Sequence, residues 1–497
     1  MKVILNGNVP INRYYVQMLC MIYFPGVKFS ESEDAEDDGL RLSVDVQRID
    51  DVIKAQCTLT ALGKEGSAER EKEISDGITE DKAIKLAIGA AMLALGEELL
   101  SYRPSWGMLI GVRPSKVAME KLLEGNSKTK VRKILRNDYF VTVKKAALAT
   151  DVALAEKAII GNPDKKDCSV YISIPFCPTR CAYCSFVSYT SKKLLSLIPE
   201  YLIRLCSDIE ATFAMAKKHG LNVKTVYIGG GTPTILTATE LEMLLSKIYD
   251  CIDVSSLEEY TLEAGRPDTI DAEKLAIAAK YGVTRMSVNP QSLCDKVLSG
   301  VGRSHTTEEF FRAYDIARSS GIKYINTDLI AGLPGDTFKT FSETFDKILE
   351  LSPDNITVHT FCVKKSAELM QRGPTIFSRK GGDAVKCVDY SQLRAMQEGY
   401  KPYYMYRQKN TVGNLENVGF AKPGSEGLYN IYMMEEVHTI LAAGAGAVTK
   451  LLEYKGALEG KTRIKRLFNP KYPYEYLRND NMVEIEKAAE EFFAEEI

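Results

Sequence analysis

Histidine and tryptophan are scarce in this chain of 497 residues, which holds four histidines, His219, His305, His359 and His438, and the single Trp106. None of the histidines is spaced like the partner of a cysteine pair, which excludes a finger-type zinc site. An excess of one charge is lacking too. Lys and Arg number 64 against 66 Asp and Glu, for a net charge of −2 and a pI of about 6.3. A balance of that kind offers no global attraction to nucleic acid, and no nucleic-acid partner is expected. The stretch "AIKLAIGAAMLALGEELL" (83–100) is interrupted by Lys85 and carries Glu97 and Glu98, so no membrane span is expected. The opening "MKVILNGNVPINRYY" has neither an apolar core nor a small-residue cleavage site, and the cytoplasm is the expected location. Internal repeats and low-complexity tracts are absent as well.

Cysteine, by contrast, is present eleven times. Without a secretion signal, that argues for thiols and metal ligation over a disulfide framework. Cys20, Cys57, Cys168, Cys206, Cys251, Cys294, Cys362 and Cys387 form no close pair or triplet and read as small buried hydrophobes. Cys168 opens an apolar strand and would have to fold back past it to serve as a ligand. The other three lie together in "SIPFCPTRCAYCSF" (173–186), where Cys177, Cys181 and Cys184 have C-x3-C-x2-C spacing. Three thiolates are one short of the set that a structural zinc or a complete iron–sulfur cluster usually takes. Two readings follow. Either the loop buries three unliganded cysteines, or it holds a [4Fe–4S] cluster with one iron open to the amino and carboxylate groups of a small molecule.

The length predicts more than one domain. Residues 1–162 read as an N-terminal α/β domain, with the acidic stretch "SESEDAEDD" (30–38) as a solvated loop and "GNPDKKD" (161–167) as the linker. From 168 to 364 short apolar strands alternate with amphipathic helices. The strands are "VYISIPF" (170–176), "TVYIGG" (225–230), "EYTLEAG" (259–265), "RMSVNP" (285–290), "YINTDLIAG" (324–332) and "NITVHTF" (355–361). Six β-α units in succession predict a parallel sheet with right-handed crossovers, whose chemistry lies at the carboxyl ends of the strands. Residues 365–497 read as an irregular segment covering that end.

The cysteine loop, with Tyr183 before its last cysteine, resembles the signature of the radical SAM superfamily. The resemblance implies a partial (β/α)6 TIM-like barrel, a [4Fe–4S] cluster on Cys177, Cys181 and Cys184, and S-adenosylmethionine (SAM) as second cofactor. It also implies SAM cleavage to a 5′-deoxyadenosyl radical that abstracts a hydrogen atom, and a one-electron donor such as flavodoxin or ferredoxin. The second motif, "YIGGGTPT" (227–234), lacks dinucleotide-loop spacing and resembles the strand end where glycine lets the backbone approach the methionyl amine.

Polar residues at the later strand ends, Glu263, Gln291 and Asp328, need a ligand or a cation if they point inward. A structural ion pair with Arg285 or Arg303 would serve equally well for any one of them. Here "EAGRPDTI", "RMSVNPQS", "LSGVGRSHTTEE" and "INTDLIAGLPGDT" resemble blocks of the oxygen-independent coproporphyrinogen III oxidases and their relatives. That resemblance implies SAM-binding roles for Tyr171, Gly230, Gly231, Thr232, Glu263, Gln291, Arg303 and Asp328, with Arg303 forked onto the methionyl carboxylate. The N-terminal domain and "YYMYRQKNTVGNLENVGFAKPG" (403–424) resemble the HemZ-type subgroup, which implies oxidative decarboxylation of coproporphyrinogen III to protoporphyrinogen IX in heme biosynthesis. Tyr406, Arg407 and Lys409 are candidates to meet the tetrapyrrole, although an aromatic core segment with a solvated basic end explains the same pattern.

Several positions depart from the family patterns. Phe186 stands where the oxidases carry another cysteine, and Ser173 where they carry histidine. In "LYNIYMMEE" (428–436), Tyr429 stands where heme-trafficking relatives carry a heme-binding histidine. Two functions therefore stay open: the decarboxylating oxidoreductase, acting on coproporphyrinogen or another tetrapyrrole, and a heme-binding or heme-delivering protein. The oligomeric state has no sequence signal.

Overall fold

A computed structural model describes residues 1–24, 27–29, 39–111, 113–362, 381–408, 411–453 and 462–494. The acidic stretch 30–38, the expected boundary at 364/365 and Lys409 lie outside the described residues. The chain forms two compact units. The first comprises the described residues of Met1–Ala153, Pro374–Val385 and Tyr406–Glu416, and the second those of Leu154–Gly373, Lys386–Met405 and Asn417–Ile497.

In the first unit β1 (Lys2–Gly7) pairs in parallel with β2 (Arg41–Ile49), and β3 (Val52–Ala61) and β4 (Lys64–Glu73) continue the sheet antiparallel. Alternation buries Leu42, Val44 and Val46 with Ile53, Ala55, Cys57 and Leu59 on one face. The helices Arg13–Tyr23 and Glu80–Leu100 complete that core. Gly96 lets the two meet, since an added Cβ would lie 2.1 Å from the Tyr23 ring.

The second unit is built on an eleven-stranded sheet. Its central parallel run is β5 (Asp167–Ile174), β6 (Asn222–Gly230), β7 (Glu259–Leu262), β8 (Arg285–Ser287), β9 (Tyr324–Ala331) and β10 (Asn355–Thr360), each paired with the next, and a later strand, Thr439–Ala443, also pairs in parallel with β5. β11 (Lys401–Arg407), β12 (Glu416–Ala421), β13 (Thr439–Ala443), β14 (Val448–Glu453) and β15 (Arg463–Phe468) extend it at both ends, in the order β11-β12-β10-β9-β8-β7-β6-β5-β13-β14-β15. β5 and β10 therefore do not meet, β13 lies beside β5 and β12 beside β10. The barrel is partial. Helices such as Ile198–Lys218, Ala238–Cys251 and Thr307–Ser319 connect the strands, the last two opened by capping boxes at Thr237/Glu240 and Thr306/Glu309.

A buried ion pair lies at the amino ends of two neighbouring strands. Glu259 and Arg285, which begin β7 and β8, meet at 2.9 Å and are both buried. Arg285 also donates to Asn326, Asn355 and the carbonyls of Ser425 and Glu426. Glu259 accepts from the amides of Leu428 (2.8 Å) and Tyr429 (3.1 Å) at the start of the helix Leu428–Glu435. A negative group at a helix N-terminus is favourable, and this one fixes Tyr429 against the strands. Among the described residues no helix is long and apolar enough to cross a membrane.

Candidate active site

The cysteine loop leaves β5 at the carboxyl end of the parallel strands. Cys177 and Cys181 are buried and Cys184 half-buried. The loop is pinned at both ends, by the Cys177 amide on the Tyr189 carbonyl (3.0 Å) and the Ala182 amide on the Val301 carbonyl (2.9 Å). Each ligand candidate has its own environment. Cys177 Sγ lies 3.2 Å from Thr232 Oγ1, and Cys181 Sγ lies 3.7 Å from one Arg266 nitrogen and 4.0 Å from one of Arg303.

Burial pushes the Cys177 thiol up to about 11 and the Cys184 thiol up as well. A hydrogen bond with Thr232 and the Arg266 cation oppose the rise at Cys177, and a hydrogen bond with the Phe186 backbone opposes it at Cys184. A metal deprotonates the thiols it binds. Among the described residues no group of His, Cys, Asp and Glu converges tightly enough for a single metal ion. A four-iron cluster takes one thiolate per iron and spreads its ligands wider than a single ion does. The spacing and chemistry of this loop fit the cluster.

The glycine motif lies directly behind it. Gly230 has φ +112°, a conformation that L side chains rarely adopt, and an added Cβ would sit 2.9 Å from the Ile174 carbonyl oxygen. At Gly231 an added Cβ would lie 2.5 Å from the Phe176 carbonyl and 3.0 Å from Cys177 Sγ. The Thr232 amide donates to that same Phe176 carbonyl at 2.8 Å.

The strand ends converge. Glu263 follows β7, and burial together with the Asp328 carboxylate pushes it up to about 7, against hydrogen bonds from Tyr227 and the Gly230 amide. Asp328 accepts from Asn289 Nδ2 at 3.1 Å, while its own amide donates to Asn289 Oδ1 at 3.0 Å. His359 Nε2 lies 3.6 Å from Asp328. Gln291 has φ +65° and a buried side-chain oxygen with no hydrogen-bond partner among the described residues. That combination of a strained backbone and an unmet acceptor suits a donor from a bound ligand. Arg285 pairs with Glu259, so neither Glu263 nor Asp328 is its ion-pair partner.

Tyr171 and Tyr227 stack with Tyr429, the closest pair being Tyr227 and Tyr429 at 4.6 Å between ring centroids. They form an aromatic floor beside Glu263.

Two residues lie differently from the sequence expectation. Arg303 is buried, and its five N–H groups have protein partners: Tyr183 OH and Cys181 Sγ, the carbonyls of Gly265 and Asn289, and His305 Nδ1. In this arrangement no donor is left to fork onto a methionyl carboxylate, and Arg303 acts as a cation beside Cys181. Arg407 is buried inside the first unit, donating to the Leu109 carbonyl and to Asn414 Oδ1, with its guanidinium 5.7 Å over the Trp106 ring. Its role as a tetrapyrrole contact is replaced by an internal one. Tyr406 belongs to the same unit and is half-buried.

One further residue has no forecast in the sequence reading. Arg266, buried, forks onto Asp268 (3.1 and 3.0 Å), donates to Ser304 at 2.7 Å and reaches the Thr179 carbonyl and Cys181. The signal was present in "EAGRPDTI": an arginine directly beyond an inward strand end, with an acid two residues on.

Comparison with known proteins supplies the class. Residues 171–348 match the model of the radical SAM superfamily. The chain is 38% identical over 417 residues to the oxygen-independent coproporphyrinogen-III oxidase-like protein HemZ of Bacillus subtilis, covering 82% of each chain. It is 32% identical over 282 residues to the heme chaperone HemW of the same bacterium, covering 56% of this chain and 70% of that one. A solved structure of coproporphyrinogen III oxidase from Escherichia coli, described as a radical SAM enzyme, aligns with a TM-score of 0.46 at 22% identity over 59% of this chain and 67% of that one. This chain belongs to the radical SAM superfamily and, within it, to the oxygen-independent coproporphyrinogen-III oxidase-like family of the HemZ type. Its cofactors are a [4Fe–4S] cluster and SAM.

Proposed function

We propose that this protein carries out the oxygen-independent oxidative decarboxylation of coproporphyrinogen III to protoporphyrinogen IX. The observation that carries the reading is the convergence of the cysteine loop with Thr232, Glu263, Gln291 and Asp328 at one end of a partial barrel, above the tyrosine floor. The substrate comes from the name of the HemZ relative.

When bound, the cluster and SAM supply the radical that removes a hydrogen atom from a propionate side chain. The chain's residues do the rest. Cys177, Cys181 and Cys184 hold the cluster. Gly230 and Gly231 let backbone groups approach the cofactor where a side chain would collide, and Thr232 faces both the loop and that space. Glu263 and Asp328 accept hydrogen bonds from ribose hydroxyls or the amine, and Gln291 offers its unmet acceptor. Arg266 and Arg303 hold positive charge beside Cys181. Tyr171, Tyr227 and Tyr429 stack on one another beside Glu263, and Tyr227 hydrogen-bonds its carboxyl. An electron acceptor completes the oxidation.

A second reading, heme delivery, rests on the relatives named heme chaperone. It calls for an axial ligand, and at the matching position Tyr429 is buried in the ring stack. Anaerobic incubation with SAM, a chemical reductant and coproporphyrinogen III separates the two. Vinyl products with release of carbon dioxide are expected. 5′-Deoxyadenosine without vinyl product, together with stoichiometric heme binding, would move the assignment to heme delivery.

A further inference from the structure

One face beside the cysteine loop is aromatic, open and basic. Phe186, two residues beyond Cys184, is 65% exposed, and Tyr472 is 39% exposed. Behind Phe186, Val187 packs on Gly446, whose added Cβ would lie 3.2 Å from the valine methyl. The Gly446 amide in turn donates to the Pro470 carbonyl at 2.9 Å. One residue further on, the Lys471 carbonyl accepts from Tyr189 OH at 3.2 Å, and the Tyr189 ring meets Tyr472 edge-on at 5.6 Å. Tyr472 lies against Tyr474, over which Lys193 Nζ sits at 5.8 Å. The face is continuous with the cluster loop, because the Tyr189 carbonyl accepts from the Cys177 amide.

Cations outnumber acids on this face. Between Asp167 and Glu200 the chain carries no carboxylate but does carry Arg180, Lys192 and Lys193, all exposed. Lys471 adds a fourth exposed cation, and the exposed Glu475 borders the patch at Tyr189. Exposed aromatics beside arginine and lysine make a patch that the apolar and acidic groups of a partner would complement. The cations would steer and orient an acidic partner.

We propose that this face docks an acidic one-electron carrier protein that reduces the cluster. The inference rests on the cluster assignment above and not on the identity of the tetrapyrrole. In the step it serves, the carrier is oxidised by one electron and the cluster is reduced by one, and no atom is transferred. Phe186 fits the task by position, being both the most exposed aromatic of the loop and two residues from a cluster ligand. The family's oxidases place another cysteine there, and this chain places an apolar contact.

The test uses the full chain with its cluster reconstituted and an FMN flavodoxin as the probe. Wild-type protein is expected to bind oxidised flavodoxin with an affinity that falls as salt rises. Phe186→Ser and Lys193→Glu, separately and combined, are expected to weaken binding at least tenfold and to slow cluster reduction by reduced flavodoxin. Reduction by dithionite, followed by the loss of visible absorbance, is expected to be unchanged, which also reports that the variants are folded. Unchanged flavodoxin affinity in the double variant would overturn the proposal. So would failure of the wild type to bind, or sedimentation showing that a second copy of this chain occupies the face. The dithionite-driven reaction with coproporphyrinogen III tests the substrate reading separately, so either inference can fail without the other.

Discussion

Arg266 points one guanidinium nitrogen at Cys181 Sγ, 3.7 Å away, while Asp268 grips its other side. A fixed cation beside a thiolate ligand favours the more negative, reduced state of the cluster and so raises its reduction potential. Arg266→Gln is expected to lower the potential by some tens of millivolts and to leave the iron content unchanged. Arg266→Lys, which keeps the charge, is expected to recover part of the difference. An EPR-monitored redox titration measures both, and equal potentials in wild type and the Gln variant would remove this role.

Replacing any one of Cys177, Cys181 or Cys184 by Ala is expected to abolish the brown cluster and with it SAM cleavage. Cys168→Ala is the informative control. Cys168 is fully buried on β5, and burial raises its thiol far above the usual range, as for an inert core cysteine. The Cys168 variant should therefore bind a full complement of iron, measured with its absorbance spectrum. A cluster lost there would make Cys168 a ligand.

Much of this site is legible in the sequence because its determinants are local. Cys177, Cys181 and Cys184 share one loop, and Glu263, Gln291 and Asp328 each fall at the end of, or within, an apolar run short enough to be a parallel strand. What the sequence hides is pairing at long range. Glu259 and Arg285 meet 26 residues apart, and Trp106 donates to Glu416 across 310. For that reason Arg407 reads in sequence as a solvated basic end, while in the fold it is buried under Trp106. Arg303 shows a related limit. Motif matching finds its position, but only the three-dimensional surroundings reveal that Gly265, Asn289, Tyr183 and His305 already take its donors.

Glu263 carries a pH signature. Its carboxyl is pushed up to about 7 in the fold, from an ordinary value near 4.5, first by burial and then by Asp328. Between those values the folded chain holds a proton that the unfolded chain releases, so this group makes stability fall as pH rises from about 4.5 to about 7. Below that window it contributes no penalty, and above it the full one, at most about 3 kcal/mol. Glu263→Gln removes the ionisation. The variant's stability advantage over wild type is expected to grow across that pH range, read from urea midpoints of the metal-free proteins at pH 5 and 7.5. Parallel pH profiles would mean that Glu263 titrates normally.

Within the first unit, Lys145 and Glu416 form a buried pair at 2.6 Å, with side chains 4% and 0% exposed. Trp106 Nε1 donates to the second carboxylate oxygen at 2.8 Å. Lys145 and its hydrogen bond, with that of Trp106, hold the Glu416 carboxyl below its usual range despite burial. Removing the lysine alone strands a carboxylate in the core, and Lys145→Met is expected to cost about 3–5 kcal/mol. Neutralising both partners is less harmful, because nothing charged is then left without its counterion. Lys145→Met combined with Glu416→Gln is expected to recover most of the loss, since the glutamine oxygen still accepts from Trp106. Thermal unfolding followed by circular dichroism compares the three proteins, and a double variant no more stable than the single one would show that the pair's charge is not what Lys145 contributes.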